Sequence, residues 1–121
     1  MPAIILDNIK NRHVIHNKMY IITVNELGDV VSRPGLHVVK VFNRDDPVYE
    51  IDEAYNAFSK QDRYKRASFS VMDVSGAASL SSMFYKLEKY PAFIIYEAGK
   101  PIAVYTGISS TTLNVMLDRY L

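Results

Sequence analysis

The chain has 121 residues, of which 49% are hydrophobic and 12% aromatic, so it can bury the core of one globular domain. Its 14 basic and 13 acidic side chains leave a formal net charge of +1, which disfavours direct binding of nucleic acid. Cysteine is absent, and this excludes disulfides, thiolate nucleophiles and cysteine metal ligands within the chain.

The first 18 residues precede the regular pattern of elements. An apolar patch formed by Ile4, Ile5 and Leu6 has no basic segment before it, unlike a secretory signal. No run approaches the roughly 20 apolar residues that span a bilayer, so we expect a cytoplasmic protein without a membrane partner. His13 and His16 lack a third ligand, and we expect no metal site. The apolar patch is expected to bind a partner protein or a second copy of the chain, as a homodimer.

The first regular elements are two strands separated by a short helix. The stretch from Met19 to Val24 is rich in Ile, Tyr and Val, which favours a strand. Asn25 is a suitable cap for a helix over residues 26–32. The stretch from His37 to Phe42 has a near-continuous apolar face, as expected for a central strand covered on both sides.

A change of period after the second strand predicts a longer helix. Asp46 is a favourable N-cap, Pro47 suits the first helical position, and apolar residues follow at helical spacing to about Tyr64. Residues 67–74 then predict a third strand. Residues 78–89 predict a third helix with a single apolar stripe.

A hairpin led by a proline follows. Pro91 directly precedes an apolar strand, Ala98-Gly99 supplies a tight turn, and a second strand closes at Gly107. Ser109 or Ser110 is then expected to cap a final helix. The complete order is β-α-β-α-β-α-β-β-α.

This order, together with the proline-led hairpin from Tyr90 to Gly107, resembles the thioredoxin-like superfamily. The resemblance covers residues 19–121 and implies an α/β domain there, with residues 1–18 as an N-terminal extension. Its mixed central sheet should have helices on both faces, crossover helices between the first three strands, and an antiparallel hairpin at the end.

The redox motif of that family is missing from this chain. In thioredoxins a Trp-Cys-Gly-Pro-Cys segment opens the helix after the central strand, whereas residues 42–50 here contain neither sulfur nor a Ser or Thr. The position that best matches the buried, proton-relaying carboxylate of the family is Val41. The resemblance therefore implies a relative without redox activity and without a cofactor.

The peptide-binding groove of the family has a counterpart here. The resemblance implies that the peptide bond between Tyr90 and Pro91 is cis, and that the backbone before this proline pairs with an extended peptide. Phe42 and Tyr49 would complete an aromatic lip with Tyr90. The predicted groove consists of Tyr90, Pro91, Phe42, Asn43, Arg44, Asp45, Asp46 and Tyr49.

Two interpretations are open for the acidic pair Asp45 and Asp46. The sequence favours helix capping with solvated charges. In the alternative, the pair forms an acidic rim that attracts a basic partner segment, while Asn43 and Arg44 supply hydrogen bonds.

These observations favour a non-catalytic protein-binding scaffold, adaptor or chaperone-like module, because peptide capture needs no cysteine. One alternative is a glutathione-binding or glutathione-dependent enzyme, in which the hydroxyl of Tyr20 or Tyr49 activates the thiol of the ligand. Such enzymes carry an additional helical domain for which this chain is too short. Another alternative is a subunit of a nucleic-acid-processing complex, because a spliceosomal branch of the family also departs from the dithiol pattern.

Overall fold

A six-stranded mixed sheet organises the chain, and the computed structural model describes residues 14–15, 19–75 and 91–121. The helices and strands among these residues are β1 (Val14–Ile15), β2 (Met19–Ile22), α1 (Leu27–Val31), β3 (Leu36–Phe42), α2 (Asp52–Ser59), β4 (Ala67–Asp73), β5 (Ala92–Glu97), β6 (Lys100–Thr106) and α3 (Ser110–Tyr120). Short 3-10 turns at Val24–Glu26 and Asp62–Tyr64 precede α1 and β4.

The sheet has the strand order β1-β2-β4-β3-β5-β6. Strands β2, β4 and β3 run parallel, β5 is antiparallel to β3, and β6 is antiparallel to β5. The expected mixed sheet and closing hairpin are therefore confirmed. The third helix predicted over residues 78–89 lies outside the described residues.

Strand β3 occupies the middle of the sheet because its side chains are buried on both faces. The alternation of a strand sends Val38 to the face covered by α2 and α3, and Val39 to the face covered by α1. Both valines have no exposed surface. The expectation of a central strand with helices on either side is confirmed.

The hairpin and the last helix form as the sequence predicts. Ala98 and Gly99 have φ of 54° and 82°, the pair of positive values that suits a two-residue hairpin turn. Helix α3 is capped by Ser109, whose Oγ accepts a hydrogen bond from the Thr112 N–H at 3.1 Å. At Gly107, where φ is 150°, an added Cβ would lie 2.5 Å from the Tyr105 hydroxyl, so a larger residue would strain the backbone and displace that side chain.

The long helix predicted from Pro47 to Tyr64 is wrong. Asp46 is not an N-cap, because Asn43 forms a local turn: its Oδ1 accepts from the Asp45 N–H at 2.9 Å and its carbonyl accepts from the Asp46 N–H at 3.0 Å. The helix begins only at Asp52. The helix ends at Ser59. After it, the N–H groups of Lys60 and Gln61 bond to carbonyls three residues earlier, which is the pattern of a 3-10 turn.

The predicted cap of the first helix is also wrong. Asn25 lies within a 3-10 turn, and α1 starts after that turn at Leu27. The hydrogen bond at the start of the turn joins the Thr23 N–H to the Glu26 carboxylate, at 2.8 Å. The preceding strand ends at Ile22.

A short edge strand arises from the segment interpreted as the N-terminal extension. Val14 pairs with Tyr20 and Ile15 with Met19 in an antiparallel ladder. The domain boundary at residue 19 stays a prediction, and the apolar patch Ile4, Ile5 and Leu6 lies outside the described residues.

Tyr55 of α2 is a buried polar link between the helix layer and the sheet. Its buried hydroxyl lies 2.8 Å from the Ser70 carbonyl and 3.2 Å from the Val38 carbonyl, on the neighbouring strands β4 and β3. The ring packs against Phe69 and Phe93, with centroids 5.7 and 5.2 Å away. Burial raises the pKa of Tyr55 well above its ordinary value, so the hydroxyl remains a donor at any physiological pH.

We predict that Tyr55→Phe lowers the free energy of unfolding by about 1 kcal/mol, because the hydroxyl loses its bond while its ring contacts remain. Tyr49→Phe is the matched control, since that side chain is 71% exposed. Urea unfolding followed by far-UV circular dichroism measures both. Equal stability of the two variants would contradict the role assigned to Tyr55.

Candidate functional site at the carboxyl end of strand β3

A cavity of about 500 Å³ opens where the central strand ends. The end of β3 contributes Lys40 and Phe42 to it, and α2 contributes Asp52, Glu53, Tyr55 and Asn56. The remaining lining residues come from β2, β4 and the connection between β3 and α2: Met19, Val71, Arg44, Pro47, Val48 and Tyr49. The carboxyl ends of parallel strands are the usual place for ligand sites in α/β sheets.

The most unusual group in this cavity is Lys40, which is only 6% exposed although it is charged. Its ammonium donates to Asp52 Oδ1 and lies 5.2 Å from the centroid of the Phe42 ring. A buried ammonium is costly unless a carboxylate compensates its charge. The first turn of α2 is therefore fixed against the end of β3.

A buried charge is present in β3 next to the position where the resemblance implies that the family's carboxylate is missing. Val41, the predicted counterpart of the family's buried carboxylate, is apolar and fully buried on the α1 face. The buried charge of the strand is a cation, one residue earlier and on the opposite face. Lys40 interrupts the near-continuous apolar run of this strand in the sequence, but no role was predicted for it.

Asp73, at the end of β4, anchors Arg44, which lines the cavity. Its Oδ1 accepts from the Arg44 N–H at 3.1 Å and from the Ser75 N–H at 2.9 Å, and its Oδ2 accepts from the Ser75 hydroxyl at 3.0 Å. Burial opposes its ionisation, but these hydrogen bonds and the Arg44 guanidinium together lower the pKa of Asp73 below its ordinary value of 3.8. The Arg44 backbone is thus anchored to the sheet.

The structure brings together only part of the predicted groove. Phe42, Arg44 and Tyr49 line the cavity. Three further predicted residues, all in the turn at the end of β3, do not line it: Asn43, Asp45 and Asp46.

The proline side of the predicted groove lies at the same end of the sheet. Pro91 is buried, and its carbonyl accepts from the Gly107 N–H at 3.2 Å. Because Ala92 pairs with Val41, Pro91 is close to the end of β3. Tyr90, and with it the geometry of its bond to Pro91, lies outside the described residues.

Several cavity residues were missed by the sequence reading. Asp52, Glu53 and Asn56 were assigned to the interior of a longer helix, so the position of Asp52 and Glu53 at the start of α2 was not foreseen. Asn56 is notable because its Oδ1 is buried and has no hydrogen-bond donor among the described residues.

Comparison with solved structures identifies the architecture. The chain is similar to a Plasmodium falciparum thioredoxin, with a TM-score of 0.72 and 20% identity over 84% of this chain and 98% of that one. It is also similar to a Malassezia sympodialis thioredoxin (TM-score 0.73, 13% identity, 89% and 96% covered) and a Fasciola hepatica thioredoxin (0.70, 21%, 84% and 98%). The fold is thioredoxin-like.

Similarity at this level of identity supports the shape of the domain alone. No protein-family model matches the sequence, and no curated protein is similar to it by sequence. Because the thioredoxin-like chain has no cysteine, it carries no thiol for disulfide exchange. No helix among the described residues is long and apolar enough to cross a membrane.

We predict that Asp52→Asn lowers the free energy of unfolding by about 2 kcal/mol, because the Lys40 ammonium is left buried without a counter-charge. Lys40→Met should cost less, since it removes the buried charge itself. The double variant should recover most of the loss seen in Asp52→Asn. Urea unfolding measures all three, and a double variant as unstable as Asp52→Asn would contradict the pairing.

A second prediction concerns acid stability. Because the pKa of Asp73 is lowered in the folded state, its contribution is complete above pH 3.8 and is lost as the pH falls through the folded value. Asp73→Asn should therefore destabilise the protein at pH 7. The difference in free energy of unfolding between the variant and the wild type should narrow between pH 4 and the acid limit of folding, and urea midpoints across this range measure it. A difference that is independent of pH would contradict the account.

Proposed function

We propose that this chain is a non-catalytic protein-binding module of the scaffold or adaptor kind. It holds an extended segment of a partner protein at the carboxyl end of β3, across the cavity and towards Pro91. The single observation that carries the proposal is the cavity of about 500 Å³ in a chain that has no cysteine.

The size and lining of the cavity support a peptide as the occupant. A volume of this size accommodates a few side chains. Its walls are mostly apolar, and Tyr49 stands at the mouth with 71% of its surface exposed. Exposed tyrosines beside a cavity are typical of protein interfaces, because the ring adds contact area at a small entropic cost.

The position of the cavity also supports this proposal. The connection that would carry the dithiol in a thioredoxin is here the segment 43–51, which includes Pro47, Val48 and Tyr49 in the wall of the cavity. A partner segment that enters there would run beside β3 and the start of β5. Binding of such a segment requires no reactive group.

The proposal is tested by placing a photo-crosslinking amino acid, p-benzoylphenylalanine, at position 49 in the full chain within the native host. The matched control carries it at position 120, because Tyr120 is an exposed tyrosine on α3, away from the cavity. We expect one defined protein adduct at position 49 that is absent at position 120. Adducts that are equal at both positions, or none at position 49, would contradict the proposal.

A further inference from the structure

We infer that the cavity receives a basic side chain, an arginine or lysine flanked by apolar residues in the partner segment. This inference rests on the proposed function and names the chemistry of the occupant. It follows from the balance of charge around the cavity, from the apolar walls and from one buried acceptor.

The two cations of the cavity already have anionic partners. Lys40 is bound by Asp52, and the Arg44 Nε lies 3.6 Å from Asp73 Oδ2. The Lys40 ammonium is buried against its carboxylate, so an acidic ligand would have to displace Asp52 to reach it. The Arg44 side chain is 77% exposed, and its charge is opposed by Asp73 and by the carboxylates nearby.

The carboxylates near the mouth, in contrast, are uncompensated. Glu53 lines the cavity, and Asp45, Asp46 and Glu50 lie on the chain segment that leads to it. All four are exposed, and none forms an ion pair with a described residue. The cavity wall and the segment beside it therefore carry four carboxylates without an ion-pair partner among the described residues, which favour a cationic partner and oppose an acidic one.

The walls suit the stem of a basic side chain. Phe42, Val48 and Tyr49 provide apolar and aromatic surface in the lining of the cavity. Arginine and lysine bury their methylene stems on such surface, and a guanidinium also stacks on aromatic rings. An apolar residue alone would fill the walls but leave the charge at the mouth unpaired.

Asn56 supplies an acceptor on the helix side of the cavity. Its Oδ1 is buried and lacks a donor among the described residues, which costs free energy. Because Asn56 is part of the cavity lining, an N–H group of the occupant at this wall would satisfy that oxygen. Arginine carries five such donors and lysine three, so either satisfies it.

The test is a selection of random linear dodecapeptides, displayed on phage, against the immobilised full chain. We expect the enriched peptides to share an arginine or lysine next to apolar residues. The best synthetic peptide should then lose about tenfold in affinity when its basic residue is replaced by citrulline or norleucine, which keep the stem but not the charge.

Matched variants assign the effect to the cavity. Glu53→Gln should weaken binding of that peptide several-fold, and Asn56→Asp should strengthen it by adding a charge at the acceptor. The control is Glu97→Gln, an identical change at an exposed position opposite Leu36, at the other end of β3. It should leave the affinity unchanged. Fluorescence anisotropy measures all of these, and thermal unfolding checks that each variant is folded.

The outcomes separate the two proposals. Enrichment of acidic or purely apolar peptides that crosslink at position 49 would overturn the basic occupant but leave a peptide-binding module. Basic peptides whose affinity is equally reduced by Glu53→Gln and Glu97→Gln would show non-specific charge attraction and overturn the inference. Failure to enrich any peptide would overturn both.

Discussion

The ion pair between Lys40 and Asp52 sets the shape of the region on which the functional proposals depend. An ammonium buried at the end of the central strand requires a carboxylate, and Asp52 provides it from the first turn of α2. The helix is thereby fixed with its start beside Phe42. Residues 43–51 have to bridge the remaining distance as irregular chain, and the cavity lies between that chain, the helix and the sheet.

This arrangement explains how a thioredoxin-like fold persists without the chemistry of thioredoxins. In a dithiol protein the helix start has to present a thiol, so its position is tied to reactivity. Here the helix start instead holds a buried charge, and the segment before it is free to form an Asn43 turn and an apolar wall. What the chain keeps at this end of the sheet is a recess with aromatic and acidic groups around it, which suits recognition.

The sequence predicted the parts of the fold that local patterns determine. Strand β3, the hairpin around Ala98-Gly99 and the Ser109 cap follow from a near-continuous apolar run, turn chemistry and capping, each of which acts within a few residues. The start of α2 was predicted wrongly, because the Asp46-Pro47 pattern competes with side-chain bonds of Asn43 that use the same backbone groups. The Lys40 partner was missed for another reason: a contact twelve residues away depends on where the helix begins. The candidate site was therefore foreseen in its position and in three of its lining residues, but not in the contributions of Lys40 and of the start of α2.

The central claim is that the cavity at the end of β3 is the binding surface of this domain. Chemical-shift mapping by NMR tests it most directly: the ¹⁵N-labelled full chain is titrated with the protein captured at position 49 or with its binding peptide. The account predicts that the largest shifts fall on Lys40, Phe42, Tyr49, Glu53 and Asn56, while α3 and the Ala98-Gly99 turn are unaffected. Shifts concentrated on α3 or on β6, with the cavity residues unchanged, would contradict it.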